Sequence, residues 1–135
     1  MPKKYKKVTL AQLKQFHYRI LKNHGQEYLP LPRNKEDDLK DILENIDQYI
    51  FGKELYPTIC DKAIHILMRI EQSQAFPDGN KRVALSAFEF FLNINGSSFN
   101  SGISQKIKAK FMLSIATNML EKKEAVGCCI KAIRN

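Results

Sequence analysis

The sequence predicts an all-α fold, a helical bundle interrupted by one short flap. Three observations carry that prediction. Apolar residues recur at helical spacing in one segment after another. Two threonine-led capping boxes mark helix starts. The helical pattern breaks only at loops and over the stretch Phe51–Pro57. The 135 residues, 44% of them hydrophobic, fit one domain over residues 1–135 with a single core.

The first helix begins at Thr9-Leu-Ala-Gln12, runs to about Lys22 and stops near Gly25. Leu10, Leu13, Phe16, Ile20 and Leu21 share one stripe of it. A loop with Pro30 and Pro32 follows. Asn34 is the expected cap of the second helix, whose first turn carries Glu36, Asp37 and Asp38 in line with the helix dipole. Leu39, Ile42, Leu43, Ile46 and Ile50 make its apolar face. Phe51-Gly-Lys-Glu-Leu-Tyr-Pro57 then reads as an extended or hairpin segment, with Gly52 at the bend and Pro57 at its end.

Thr58-Ile-Cys-Asp61 is the second capping box. The helix after it is apolar on more than one face, as a central helix must be. The fourth helix spans about Asn80 to Asn95, with Gly96 as its stop. Val83, Ala84, Ala87, Phe88, Phe91 and Leu92 face inward, and Ala84, Ser86 and Ala87 permit close approach to the third helix. A fifth helix covers roughly Ser104 to Leu120 and a last one Lys123 to Ile133.

Between the third and fourth helices stands Gln74-Ala-Phe-Pro-Asp-Gly-Asn-Lys-Arg-Val83. It places an acid, a glycine, an amide and two cations at a helix start. Orphan N–H groups and the positive end of the dipole bind anions there. Gly79 allows φ > 0 and a close backbone approach. Lys81 and Arg82 add full charges, and Asp78 has the chemistry to hold a divalent cation that bridges phosphates. Phe76, apolar in a polar loop, reads as the anchor that pins the loop to the core. A tight Asp-Gly turn with two solvated cations is the plain alternative.

Composition excludes several classes. No apolar run approaches the ~18 residues needed to span a bilayer, and the Lys-rich start is not followed by the apolar stretch of a signal peptide. Cys60, Cys128 and Cys129 form no Cys-x-x-Cys pair, which points to a reduced cytoplasmic protein and away from structural zinc. The net charge is +8, but the lysines are scattered over most helices. No clustered cationic face with interleaved aromatics is present, so direct nucleic-acid binding is not expected.

The decapeptide resembles the signature of the Fic/Doc family, His-x-Phe-x-Asp-Gly-Asn-Gly/Lys-Arg. Phe76, Asp78, Gly79, Asn80, Lys81 and Arg82 match it in type and spacing. Lys81, followed by Leu85 where Fic adenylyltransferases usually carry a second arginine, is similar to the Doc (death-on-curing) toxin branch. Phe51, Gly52, Lys53, Glu54, Leu55, Tyr56 and Pro57 resemble the family's substrate-docking flap. The resemblance runs from about Thr9 to the last helix. It departs at one place: the family's catalytic histidine position is Gln74 here.

The resemblance implies a toxin that transfers the γ-phosphate of ATP to a threonine of elongation factor Tu and blocks translation. Asp78 would support Mg²⁺, Gly79 to Arg82 would hold the phosphates, and a cognate antitoxin with an acidic disordered segment would restrain the toxin. A protein adenylyltransferase, transferring AMP, is one alternative. A Fic-fold module that binds nucleotide or a partner without catalysis is another. A carboxamide takes no proton near neutral pH, so Gln74 marks a degenerate base position. The chain is either a naturally degenerate member or an inactivated form of an active one. Among its three histidines, His65 falls on the far side of the third helix from Gln74, and nothing places His17 or His24 at the motif. Thr117-Asn-Met-Leu-Glu121 has the spacing of an inhibitory helix found in some Fic proteins. With Lys122 where Gly or Asn is usual, it reads as a solvated helix face.

Overall fold

The computed structural model describes residues 5–100, 102–116 and 121–134. Among them the order is α1 (Leu10–Asn23), α2 (Arg33–Glu44), a 3₁₀ turn (Asn45–Asp47), β1 (Tyr49–Ile50), β2 (Lys53–Glu54), α3 (Ile59–Ser73), α4 (Asn80–Ile94), β3 (Ser98–Phe99), α5 (Gln105–Ala116), α6 (Lys122–Ala132) and β4 (Ile133–Arg134). The fold is all-α, as the periodicity requires.

Both capping boxes form. Thr9 Oγ1 accepts from the Gln12 N–H, and Gln12 accepts from the Thr9 N–H. Thr58 and Asp61 do the same at the start of α3. The second helix differs from expectation. It starts at Arg33, and its N-cap is Pro32 rather than Asn34, with no side-chain cap. Proline presets a φ of −59° there, so the helix begins before Asn34 is reached.

α3 is the axis. Cys60, Ala63, Ile64, Ile66, Leu67 and Ile70 are all buried, and α4 answers with Val83, Ala84, Ala87, Phe88, Phe91 and Leu92. Burying each large apolar side chain contributes roughly 1.5–3 kcal/mol, so this pair forms the core around which α1, α2 and α6 pack. α6 adds Ala125 and Cys129. Its C-terminal strand β4 pairs antiparallel with β3, Phe99 opposite Ile133, a pairing with no local sequence signal.

The apolar face of α2 ends earlier than its period suggests. Ile46 is buried in the 3₁₀ turn, but Ile50 is exposed on β1. The chain has by then turned into a hairpin, Tyr49 opposite Glu54 and Ile50 opposite Lys53. Phe51 (φ 50°) and Gly52 (φ 75°) take the two positive φ values of a type I′ turn. A buried lysine ties this hairpin to the core. Lys62 on α3 is fully buried, donates to the Ile46 carbonyl and the Glu54 carboxylate at 2.8 Å each, and lies 3.5 Å from Asp47.

A polar cleft of about 600 Å³ runs from Gln48 and Tyr56 at the hairpin's foot to Ser73 at the end of α3. Asp38, Asp41, Arg69 and Lys122 also line it, with His65, whose ring stacks on Tyr56 at 4.0 Å. Burial first, then Lys122 and Arg69, push the His65 pKa down to about 4. An unfolded histidine titrates near 6.5. Between about pH 6.5 and 4 the unfolded chain therefore holds more protons, and stability falls as pH drops through that window. His17, buried and also shifted down, acts with the same sign. Denaturant midpoints should fall from about pH 7 to about pH 4.5, and His65→Phe should remove on the order of 2 kcal/mol of that loss. Identical pH slopes in both proteins would exclude His65 as a source.

Among the described residues no helix is long and apolar enough to cross a membrane. Thr117–Leu120 of the inhibitory-helix spacing lie outside the described residues.

Candidate functional site

The connection between α3 and α4 is built by its backbone. α3 ends because Gln74 takes the left-handed conformation (φ 48°, ψ 36°). Its main-chain N–H reaches back to the Glu71 carbonyl, and its Nε2 donates to that carbonyl at 2.6 Å and to the Glu71 carboxylate at 3.2 Å. Gly79, at φ 83°, restarts the chain as the N-cap of α4. A Cβ there would meet only Ile20 at 3.6 Å, so conformation rather than space requires the glycine.

Phe76 is buried, its ring 4.4 Å from that of His17 on α1. Asn80 clasps the same residue from both sides: its Oδ1 accepts from the Phe76 N–H at 3.0 Å and its Nδ2 donates to the Phe76 carbonyl at 2.7 Å. The Asn80 carboxamide therefore shapes the loop, and what Asn80 offers an anion is its main-chain N–H. The first N–H groups of α4 have no side-chain cap and lie in the same turn as the exposed Lys81 and Arg82, and uncapped helix starts of this kind attract anions.

Asp78 is exposed at the turn. Gln26 Nε2 donates to its Oδ2 and the Gly79 N–H to its Oδ1, both at 2.8 Å. These two bonds, with Arg82 and His17 adding, hold its carboxyl below the usual range. A pocket of about 390 Å³ collects these groups, its wall running from Glu71 and Gln74 through Asp78 to Lys81 and Arg82. Among the described residues no group of three or more His, Cys, Asp or Glu gathers as a metal site. Glu71 and Asp78 are the two carboxylates on the pocket wall, a set that suits Mg²⁺ held mostly by phosphates and water but not a metal caged by protein.

The hairpin does not line this pocket. It stands near the start of α3, with Phe51 wholly exposed at its tip and Tyr49, Ile50 and Leu55 exposed along it. Lys53 and Glu54 form β2, Tyr56 stacks on His65, and Pro57 precedes the cap of α3.

The Fic/DOC family profile matches residues 7–92, from the irregular segment leading into α1 to the last turns of α4. The chain belongs to the Fic/DOC family. It is also similar to a protein named Toxin Doc from Mycolicibacterium smegmatis, 34% identical over 68 residues, 50% of this chain and 52% of the relative. The chain spans about half the length of this curated relative.

This Fic/DOC chain carries site residues that the sequence did not reveal. His17 forms the back wall behind Phe76, buried with neither ring nitrogen hydrogen-bonded. Gln26 steadies Asp78 across 52 residues of chain. No local pattern announces either. Glu71 was legible in principle, because i, i+3 residues are neighbours on a helix.

Proposed function

We propose that this Fic/DOC protein is a Doc-like toxin that moves the γ-phosphate of ATP to a threonine of elongation factor Tu, in a form impaired at the base position by Gln74. The observation that carries the reading is the uncapped start of α4 beside Lys81, Arg82 and Asp78. These residues fit a nucleotide's phosphate tail. The N–H groups and the two cations match its charge, and one exposed carboxylate suits a Mg²⁺ that the phosphates hold in common. Bound there, Mg²⁺ and nucleotide supply the transferable phosphoryl group and neutralise its charge. The protein's part is positioning: Asn80 and Phe76 keep the loop shut on the core while Lys81 and Arg82 stabilise charge.

The exposed hairpin is the natural docking ridge for the target, since its apolar edge is open and its tip is bare. The target places the protein in the cytoplasm, and the similarity to Toxin Doc supports an antitoxin partner. A basic surface, +8 overall, suits an acidic antitoxin segment. The non-catalytic binding module is the second reading. Gln74 favours it, because its carboxamide donates to Glu71 and accepts no proton.

Calorimetry with ATP and Mg²⁺ tests the common ground of both readings. Lys81→Ala combined with Arg82→Ala should weaken binding at least tenfold, about 1.4 kcal/mol, as expected for lost charge-assisted contacts. Equal affinity in both proteins would put the nucleotide elsewhere and end the proposal.

A further inference from the structure

We infer that Glu71 is the proton acceptor of this site, taking the place that Gln74 cannot fill; the inference rests on the transferase reading above. The pocket holds two carboxylates, Glu71 and Asp78, and two cations, Lys81 and Arg82. Asp78 has both oxygens engaged, by Gln26 and by the Gly79 N–H. An oxygen so stabilised is a poor proton acceptor, and the same residue is the one suited to the cation. Glu71 differs. Its Oε1 accepts one long bond, 3.2 Å from Gln74 Nε2, and among the described residues no hydrogen bond to its Oε2 is recorded. It is half-buried and open to the pocket.

The histidines do not compete for the role. His17 is sealed behind Phe76, and His65 lies in the cleft against Tyr56. His24 is exposed, with Nδ1 2.8 Å from the Ile20 carbonyl. None of them lines the pocket.

The position of Glu71 is poorly suited to a purely structural carboxylate. It occupies the last turn of α3, where the dipole's negative end disfavours anions, and no basic residue shares that turn. The bond to Gln74 explains why the two side chains lie together. Gln74 turns its N–H₂ toward Glu71 and so presents the carboxylate beside the phosphate-binding helix start. In the step proposed, the incoming hydroxyl gives its proton to a Glu71 oxygen while its own oxygen forms the new bond to the γ-phosphorus of ATP. The bond from that phosphorus to the β-bridging oxygen breaks, ADP leaves with the electron pair, and Glu71 returns the proton to solvent.

The test is a double-mutant cycle. Single-turnover transfer from γ-labelled ATP with Mg²⁺ is followed with elongation factor Tu as acceptor and, in parallel, with water as acceptor. The native chain should turn over slowly. Glu71→Gln keeps an oxygen that accepts from Gln74 but loses the basicity, and should cost roughly 10²-fold or more with nucleotide affinity and helical content unchanged. Formate should restore part of the rate to Glu71→Ala. With Gln74→His present, the loss from Glu71→Gln should shrink to a few fold, because imidazole then takes the proton. A native rate in Glu71→Gln would overturn the inference. So would turnover in Gln74→His alone with none in the native chain, and that result leaves the transferase reading standing. Failure of nucleotide to bind, or no turnover in any variant, would remove the transferase reading and this inference with it.

Discussion

Gln74→His should raise phosphate transfer from ATP to a protein hydroxyl, whereas Gln74→Ala should not. In a Glu71→Gln background the gain should be about 10²–10⁴-fold, the usual worth of a general base. With Glu71 intact the gain should be smaller, since a proton acceptor is already present. The substitution suits the backbone. Residue 74 sits at φ 48° and ψ 36°, and histidine is among the few side-chain-bearing residues enriched there. It also leaves the helix start of α4 untouched, so nucleotide affinity should hold. Phosphate rather than AMP is the expected product. Lys81 stands where the adenylyltransferase loop has glycine, and Leu85 where it has a second arginine, so the resemblance implies an incomplete cradle for an α-phosphate. ATP labelled at the γ- or the α-position separates the two: α-label on elongation factor Tu would reverse the choice. No label from either, in a folded protein that binds nucleotide, would establish the non-catalytic module.

What the sequence made legible follows from how far apart the interacting groups lie. Thr9 with Gln12, and Thr58 with Asp61, are separated by one helical turn, and both boxes form as read. The motif residues Asp78 to Arg82 are contiguous, so their gathering at one helix start needed no tertiary knowledge. Ile50 was misplaced because a 3.6-residue period carried on past Ile46 does not register a 3₁₀ turn. Asn34 lost to Pro32 because a preset φ starts a helix without any side-chain bond. The pairing of β3 with β4 and the reach of Gln26 to Asp78 join distant segments, and nothing local encodes them. Lys62 was the largest omission. One lysine inside an apolar run looks like an interruption, and only the packed structure gives it three oxygen neighbours.

That lysine carries the second large effect. Glu54→Ala should destabilise the protein by about 2–4 kcal/mol, because removing one partner of a buried ion pair leaves an uncompensated charge. The Ile46 carbonyl at 2.8 Å and Asp47 at 3.5 Å keep the cost from being greater. Lys62→Met should behave differently. It takes the charge away, fills most of the same volume and leaves Glu54 free to turn to water, so global stability should change much less. What it removes is the tie between the hairpin and α3. Amide exchange over Tyr49–Glu54 should therefore accelerate in Lys62→Met while exchange in α3 and α4 stays slow. Nucleotide affinity should be the same in both variants, since the hairpin does not line the pocket at the α4 start. Modification of a protein target should drop in both if the hairpin positions it. Urea denaturation of the two variants decides the electrostatic argument. A loss below about 1 kcal/mol in Glu54→Ala, the range of an exposed pair, would mean that Lys62 does not depend on Glu54 for its charge.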